Sequence, residues 1–211
     1  MGVKERRERE KSETREIILD AARELFTTEG YEGVSMRKVA EKIEYSPTAI
    51  YVHFKDKEDL FHELCHADFA RLAAEFQSQA LPADPLEQIR QIGRIYIEFG
   101  ARYPNHFRLM FMTPHPPVPM NELDCEVKGN PEKDSYAFLT FTVKRALDAG
   151  VFRDEYNDVE LIAQTLWATV HGVISLEIAK SNDDWVAWRP LEQRVQTILD
   201  ATLRGLIKEP R

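Results

Sequence analysis

Residues 35–54 read SMRKVAEKIEYSPTAIYVHF, and no other stretch narrows the choice of folds as far. Met36, Val39, Ala40 and Ile43 recur at the spacing of one helix face. Ser35 stands before them as an N-cap, its hydroxyl placed to accept hydrogen bonds from the unpaired N–H groups of a helix start. Glu44-Tyr45 breaks the pattern. Ser46 is a second N-cap, and Pro47 occupies the first helical position, where its missing N–H is no loss. Ala49, Ile50 and Phe54 give the second helix a buried side, leaving Thr48, Tyr51, Val52 and His53 to project elsewhere. Two short helices and a tight turn make a helix-turn-helix, whose second helix enters the DNA major groove.

The flanking sequence continues in helical periods, and the expected fold is all-α. A first helix over about 14–28 turns Ile18, Ala21, Ala22, Leu25 and Phe26 inward and stops at Gly30. Residues 1–11 are nearly all charged and either fray or extend that helix. Asp56 caps a fourth helix, which LPADP at 81–85 ends. Further helices are expected over 85–103, 105–112, 135–149, 158–180 and 191–207, with a proline-punctuated irregular stretch at 113–135. No strand pattern stands out. The division expected is an N-terminal helix-turn-helix unit, residues 1–60, and a larger helical ligand-binding and dimerisation domain, residues 61–211.

A net charge of −8 over 211 residues argues at first sight against DNA, because phosphate contacts come from Lys and Arg. Its distribution reverses that reading. Residues 35–57 hold five basic side chains (Arg37, Lys38, Lys42, Lys55, Lys57) against three acidic ones (Glu41, Glu44, Asp56). In the charged tail, Arg6, Arg7 and Arg9 are candidates for groove or phosphate contact, although Glu5, Glu8 and Glu10 offset them. Cys65 and Cys125 are too few for a disulfide framework. No run of eighteen apolar residues and no secretory signal is seen, so a cytoplasmic protein without a membrane span is expected. No cofactor is expected.

From Ile17 to Leu64 the chain resembles the tetracycline-repressor (TetR) family. The residues carrying the likeness are Gly30-Tyr31, Ser35, Val39-Ala40, Ser46, Tyr51, His53-Phe54, Lys57-Glu58 and Leu60, all in one register. Trp167-Ala-Thr-Val-His171-Gly172 is similar to a Trp…His-Gly signature of C-terminal domains in such regulators. The resemblance implies phosphate contacts from Tyr51, His53 and Lys57, and a dimer in which the last two helices pair with their copies. It also implies a departure at Glu44, where many relatives have glycine in the turn.

The residues themselves nominate the other contacts. Thr48 suits a base edge or a phosphate, Pro47 and Ala49 suit a thymine methyl, and Arg37 suits a base or the adjacent backbone. Ser35 and Ser46 present helix N-termini that favour an anion, or simply cap. The C-terminal region is rich in aromatic residues, a subset of which is expected to line a ligand pocket: His66, Phe69, Tyr96, Phe99, Tyr103, Phe107, Phe111, Phe138, Trp167 and His171. Ala101→Phe is expected to fill that pocket. Ala168, Gly172 and Ser175, with Leu191, Val195, Ile198, Leu199, Thr202 and Leu206, are expected at the dimer interface.

The function expected is a homodimeric transcriptional regulator, a repressor released from palindromic operator DNA by a small-molecule inducer. A DNA-binding regulator gated by a protein partner, or lacking a ligand, is the alternative. A remote one is a zinc hydrolase through His62-Glu63-Leu64-Cys65-His66, since histidines four apart share a helix face and the glutamate suits a general base.

Overall fold

The computed structural model describes residues 2–117 and 122–208. Its helices are α1 (Val3–Gly33), α2 (Met36–Lys42), α3 (Pro47–Tyr51), α4 (Lys57–Ser78), α5 (Pro85–Arg102), α6 (Pro104–Met112), α7 (Glu122–Val127), α8 (Ser135–Asp148), α9 (Val159–Lys180) and α10 (Leu191–Leu206). The fold is all-α. Among the described residues, β-pairing is confined to one isolated antiparallel bridge, Phe152 with Ile207.

Two differences from the sequence expectation have local causes. First, α1 begins at Val3 rather than near Thr14. Arg6 pairs with Glu10 at 2.8 Å and Arg9 with Glu13 at 3.3 Å, so the alternating charges of the tail support helix instead of fraying it. Second, the proline-rich 113–135 stretch contains the short helix α7. Gly30 does interrupt α1, at φ +73°, a region open to glycine.

The chain divides into two compact units. The first comprises Met1–Phe69 with Asn105–Met120, and the second Ala70–Pro104 with Asn121–Arg211. This differs from a single cut after residue 60. α4 contributes to both units, and nearly all of α6 belongs to the first.

In the first unit Ile18, Ala22, Phe26, Val39, Ala40, Ile50, Phe54, Leu60, Phe61 and Leu64 form one buried cluster, joined by Leu109 from α6. Phe26 and Tyr31 meet the Phe61 ring edge-on at 5.0 and 5.1 Å. Beside this core lies a buried polar group. Arg23 donates from Nε to Asp68 Oδ2 at 3.0 Å and from Nη2 to Oδ1 at 2.8 Å, and His106 Nδ1 lies 2.8 Å from the same Oδ1.

In the second unit α5, α8, α9 and α10 pack on one another. Gly93 allows α10 close to α5: a Cβ there would lie 3.0 Å from a Leu199 methyl and 3.3 Å from one of Val170.

The turn between α2 and α3 closes α2 with a Schellman pair of hydrogen bonds, Tyr45 N–H to Ala40 O at 2.9 Å and Glu44 N–H to Glu41 O at 3.3 Å. That places Glu44 at φ +59°, the one non-glycine residue with positive φ among those described. Glycine has no Cβ penalty there. Glu44→Gly is therefore expected to stabilise the chain by about 1 kcal/mol, read as a raised midpoint in urea unfolding. An unchanged or lowered midpoint would mean the turn carries no such strain.

Candidate nucleic-acid interface

Local chemistry builds the reading head. Ser35 Oγ accepts from the Lys38 N–H at 3.3 Å and Ser46 Oγ from the Ala49 N–H at 3.2 Å, so both hydroxyls serve as caps. Val39 and Ala40 of α2 and Ile50 of α3 are buried, which fixes how the two helices cross. Pro47 and Thr48 at the start of α3 remain exposed, Ala49 is partly exposed, and Tyr51 is 54% exposed. Val52 at 66% and Tyr45 at 41% are exposed as well. Sequence periodicity points to Val52 but gives no signal for Tyr45, whose side chain is displayed by the strained turn before it.

The basic residues are less free than their count suggests. Arg37 is exposed but pairs with Glu41 at 2.8 Å; Lys38 reaches Glu29 at 2.5 Å, and Lys42 reaches Glu24 at 2.8 Å. Lys57 donates to the Tyr31 carbonyl at 3.1 Å and lies over the Tyr31 ring at 4.2 Å. His53 is half-buried, with Nδ1 enclosed and unpartnered. Burial, then the charges of Lys11 and Arg15, hold its pKa below the usual histidine value. Sequence reading missed that α1 brings Lys11 and Arg15 close to His53; a basic row at 7, 11 and 15 was the available signal.

The residues nominated for a pocket fall into both units. His66, Phe69, Phe107 and Phe111 belong to the first, where Phe111 meets Phe69 edge-on at 5.6 Å and lies tilted against Phe107 at 4.9 Å. Tyr96, Phe99, Tyr103, Phe138, Trp167 and His171 belong to the second. There Trp167 Nε1 donates to Tyr96 Oη at 3.0 Å, and Tyr96 Oη lies 2.9 Å from His171 Nδ1. Tyr96 is 5% exposed. Phe99 packs on Tyr103 at 5.4 Å, and Phe138 stacks on Phe76 at 5.8 Å. Ala101 is exposed, so a phenylalanine there would not fill an interior, contrary to expectation.

Burial pushes the His171 pKa down and the Tyr96 phenol up. Tyr96 thus keeps its phenolic proton, and its contact with His171 Nδ1 joins two neutral groups. A histidine with a depressed folded pKa binds fewer protons folded than unfolded, so its stability contribution is complete above the ordinary value near 6.5 and is lost as pH falls through the folded pKa. Unfolding free energy is expected to decline below about pH 6.5, less steeply in His171→Gln, with a residual dependence from His53. Identical pH profiles for the two proteins would rule out His171 as a contributor.

The dimer surface needs correction. Val195, Leu199 and Leu206 of α10 are 8%, 3% and 7% exposed within one chain, because that stripe packs on α5 and α9. Leu191, Ile198 and Thr202 are partly exposed at its margin. On α9, Ala168 is exposed and Gly172 partly so, with no atom within 4 Å of a Cβ built on Gly172. Leu161 and Leu176 extend this face, at 57% and 50% exposure, while Ser175 Oγ is enclosed without a partner. By length and composition alone α9 would be long and apolar enough to cross a membrane, a test that core helices of globular proteins also pass; 28% of its most apolar stretch is buried within the chain.

The remote hydrolase reading finds no support in the geometry. Glu63 is tied to Arg15, and among the described residues no group of three or more His, Cys, Asp or Glu side chains is placed to hold a metal. Burial pushes the Cys65 thiol up to about 12, which keeps it protonated and unreactive.

A capped helix-turn-helix in the first unit and a larger helical second unit make up the architecture of a DNA-binding transcriptional regulator. Residues 18–64 match the tetR family of bacterial regulatory proteins, and residues 89–205 match the tetracyclin repressor-like C-terminal domain. The chain belongs to the TetR family. It is 41% identical over 86 residues to the HTH-type transcriptional regulator AcrR of Shigella flexneri, covering 39% of this chain and 40% of that one. It is 45% identical over 64 residues to the HTH-type transcriptional repressor AcnR of Corynebacterium diphtheriae, covering 30% of this chain and 34% of that one. These alignments thus span well under half of either relative. Among solved structures, a TetR-family transcriptional regulator from Haemophilus influenzae superposes with a TM-score of 0.67 at 18% identity, covering 94% of this chain and 98% of that one. The fatty acid degradation regulator FadR from Bacillus halodurans superposes with a TM-score of 0.69 at 19% identity, covering 90% and 94%. Both show the shared fold.

Proposed function

We propose that the chain is a homodimeric repressor that leaves a palindromic operator when a small, largely apolar ligand enters its second unit. The observation that carries the reading is α3, capped by Ser46, with Thr48 and Tyr51 directed to solvent. Thr48, Pro47 and Ala49 would read base edges; Tyr51, His53 and Lys57 would hold phosphates, Lys57 by exchanging its Tyr31 contacts; Arg37 would add a base or backbone contact. Repression is favoured by the AcnR relative, a repressor by its name.

The ligand site is assigned to Tyr96, Phe99, Tyr103, Phe138, Trp167 and His171. Their rings supply apolar surface, and the Trp167–Tyr96–His171 chain supplies polar groups whose hydrogen bonds a ligand could exchange. The dimer would form through α9, since Ala168 and Gly172 permit close approach and Leu161 and Leu176 present apolar area that the chain itself leaves uncovered. Release is then a population shift: the ligand prefers a dimer whose reading heads no longer match the half-site spacing.

The test is a gel shift of the purified protein on its own upstream DNA, followed by titration with apolar compounds. Sequence-specific retardation that one compound reverses supports the reading. Retardation unaffected by every compound across a broad aromatic and acyl set would favour a regulator gated otherwise, and no specific retardation of any genomic fragment would overturn operator binding.

A further inference from the structure

We propose that Arg7 and Lys11, on the exposed start of α1, form a phosphate-binding ridge that extends the DNA contact beyond the half-site read by α3. The proposal rests on the DNA-binding reading of α3 and adds a second element to it.

The tail holds five basic side chains from Lys4 to Lys11, and the helix sorts them. Arg6 is held by Glu10 at 2.8 Å, Arg9 by Glu13 at 3.3 Å, and Lys4 has Glu8 at 4.0 Å. The side chains of Arg7 and Lys11 stand in no ion pair or hydrogen bond among the described residues. Both are exposed, and with Lys4 and Glu8 they line one open depression on the helix. The structure thus selects a different pair from the Arg6, Arg7 and Arg9 set that composition suggests.

The ridge is also continuous with the reading head. Positions 7, 11 and 15 lie on one helix face. Arg15, at its inner end, lies 5.3 Å from the Phe54 ring and pairs with Glu63. Phe54 adjoins His53 directly after α3, so the row leads outward from the end of the recognition helix. The field of Lys11 and Arg15 at His53 is consistent with that proximity. From Lys11 to Arg7 the helix advances about 6 Å, so two long cationic side chains reach separate phosphates along a duplex flank. An acidic protein surface would satisfy the same charges, but the ridge adjoins a face already directed at a polyanion.

The experiment uses the full chain and the duplex it selects from its upstream DNA, once with long flanks and once trimmed to the palindrome. Each neutralised phosphate contributes about −0.9 to the slope of log K against log salt. Arg7→Ala/Lys11→Ala is expected to weaken binding to the long duplex roughly tenfold and to reduce the slope by about 2, with little effect on the trimmed duplex. Arg6→Ala/Arg9→Ala removes the same formal charge and is expected to leave the slope unchanged. Equal losses from both double variants, or none from the first, overturn the ridge. Tyr51→Ala separates the two ideas: if it binds like the wild type, the α3 reading fails independently of the ridge. Alanine favours helix, and far-UV circular dichroism checks that α1 persists.

Discussion

Arg23→Ala is expected to destabilise the first unit by about 3–5 kcal/mol, seen as a large fall in the urea midpoint. Asp68 is 1% exposed and Arg23 7% exposed, and the guanidinium makes two of the hydrogen bonds that hold the carboxylate. Removing it leaves a buried anion with His106 as its remaining partner in that group. The loss measures the stranded charge, not the net value of the pair, because bringing both ions out of water was itself costly. A double variant, Arg23→Met/Asp68→Leu, should therefore recover much of the lost stability. Arg37→Ala is the contrast: its side chain is 80% exposed, and its pair with Glu41 is screened by solvent, so its loss should fall below about 1 kcal/mol. A midpoint for Arg23→Ala equal to that of Arg37→Ala would show that the buried group is not a structural anchor.

Ala168→Arg is expected to produce monomers and to reduce operator affinity by at least about 100-fold. The position is exposed in the single chain, so the substitution leaves the packing of α9 on α5 and α10 undisturbed and the protein folded. In a dimer that packs α9 against its copy, the same position lies at a close helix contact beside Gly172. A guanidinium would be buried there without a partner, twice, by symmetry. Once the dimer is lost, each head binds a half-site alone, and the gain from linking two binding events disappears. Sedimentation velocity measures the first effect and anisotropy on the operator the second. A folded Ala168→Arg dimer with wild-type affinity would move the interface off this face. Val195→Ala, at 8% exposure, should instead lower stability while leaving the assembly intact.

The reading head could be followed in the sequence almost residue by residue. Caps at Ser35, Ser46 and Asp56, proline at the first position of α3, and the Glu44 turn are decided by neighbours within a few positions, and the structure places each as the pattern implies. The start of α1 was less clear, because alternating charges suit a solvated tail as well as a ladder of ion pairs. α10 shows a different gap. Periodicity identified an apolar stripe but not which surface it covers, and Gly93, roughly a hundred residues earlier, lets Leu199 settle into the chain's own core.

By itself, then, the sequence determined the helices, their caps, the helix-turn-helix and the kinship those residues imply, since backbone hydrogen bonding and capping are local. Tertiary structure alone decided the rest. It returned α6 to the first unit, assembled Arg23, Asp68 and His106, joined Tyr96 to Trp167 and His171, and left Arg7 and Lys11 unpaired among the described residues. Each of these outcomes follows from which distant surfaces exclude water from one another, a choice that hydrophobic periodicity proposes but does not assign.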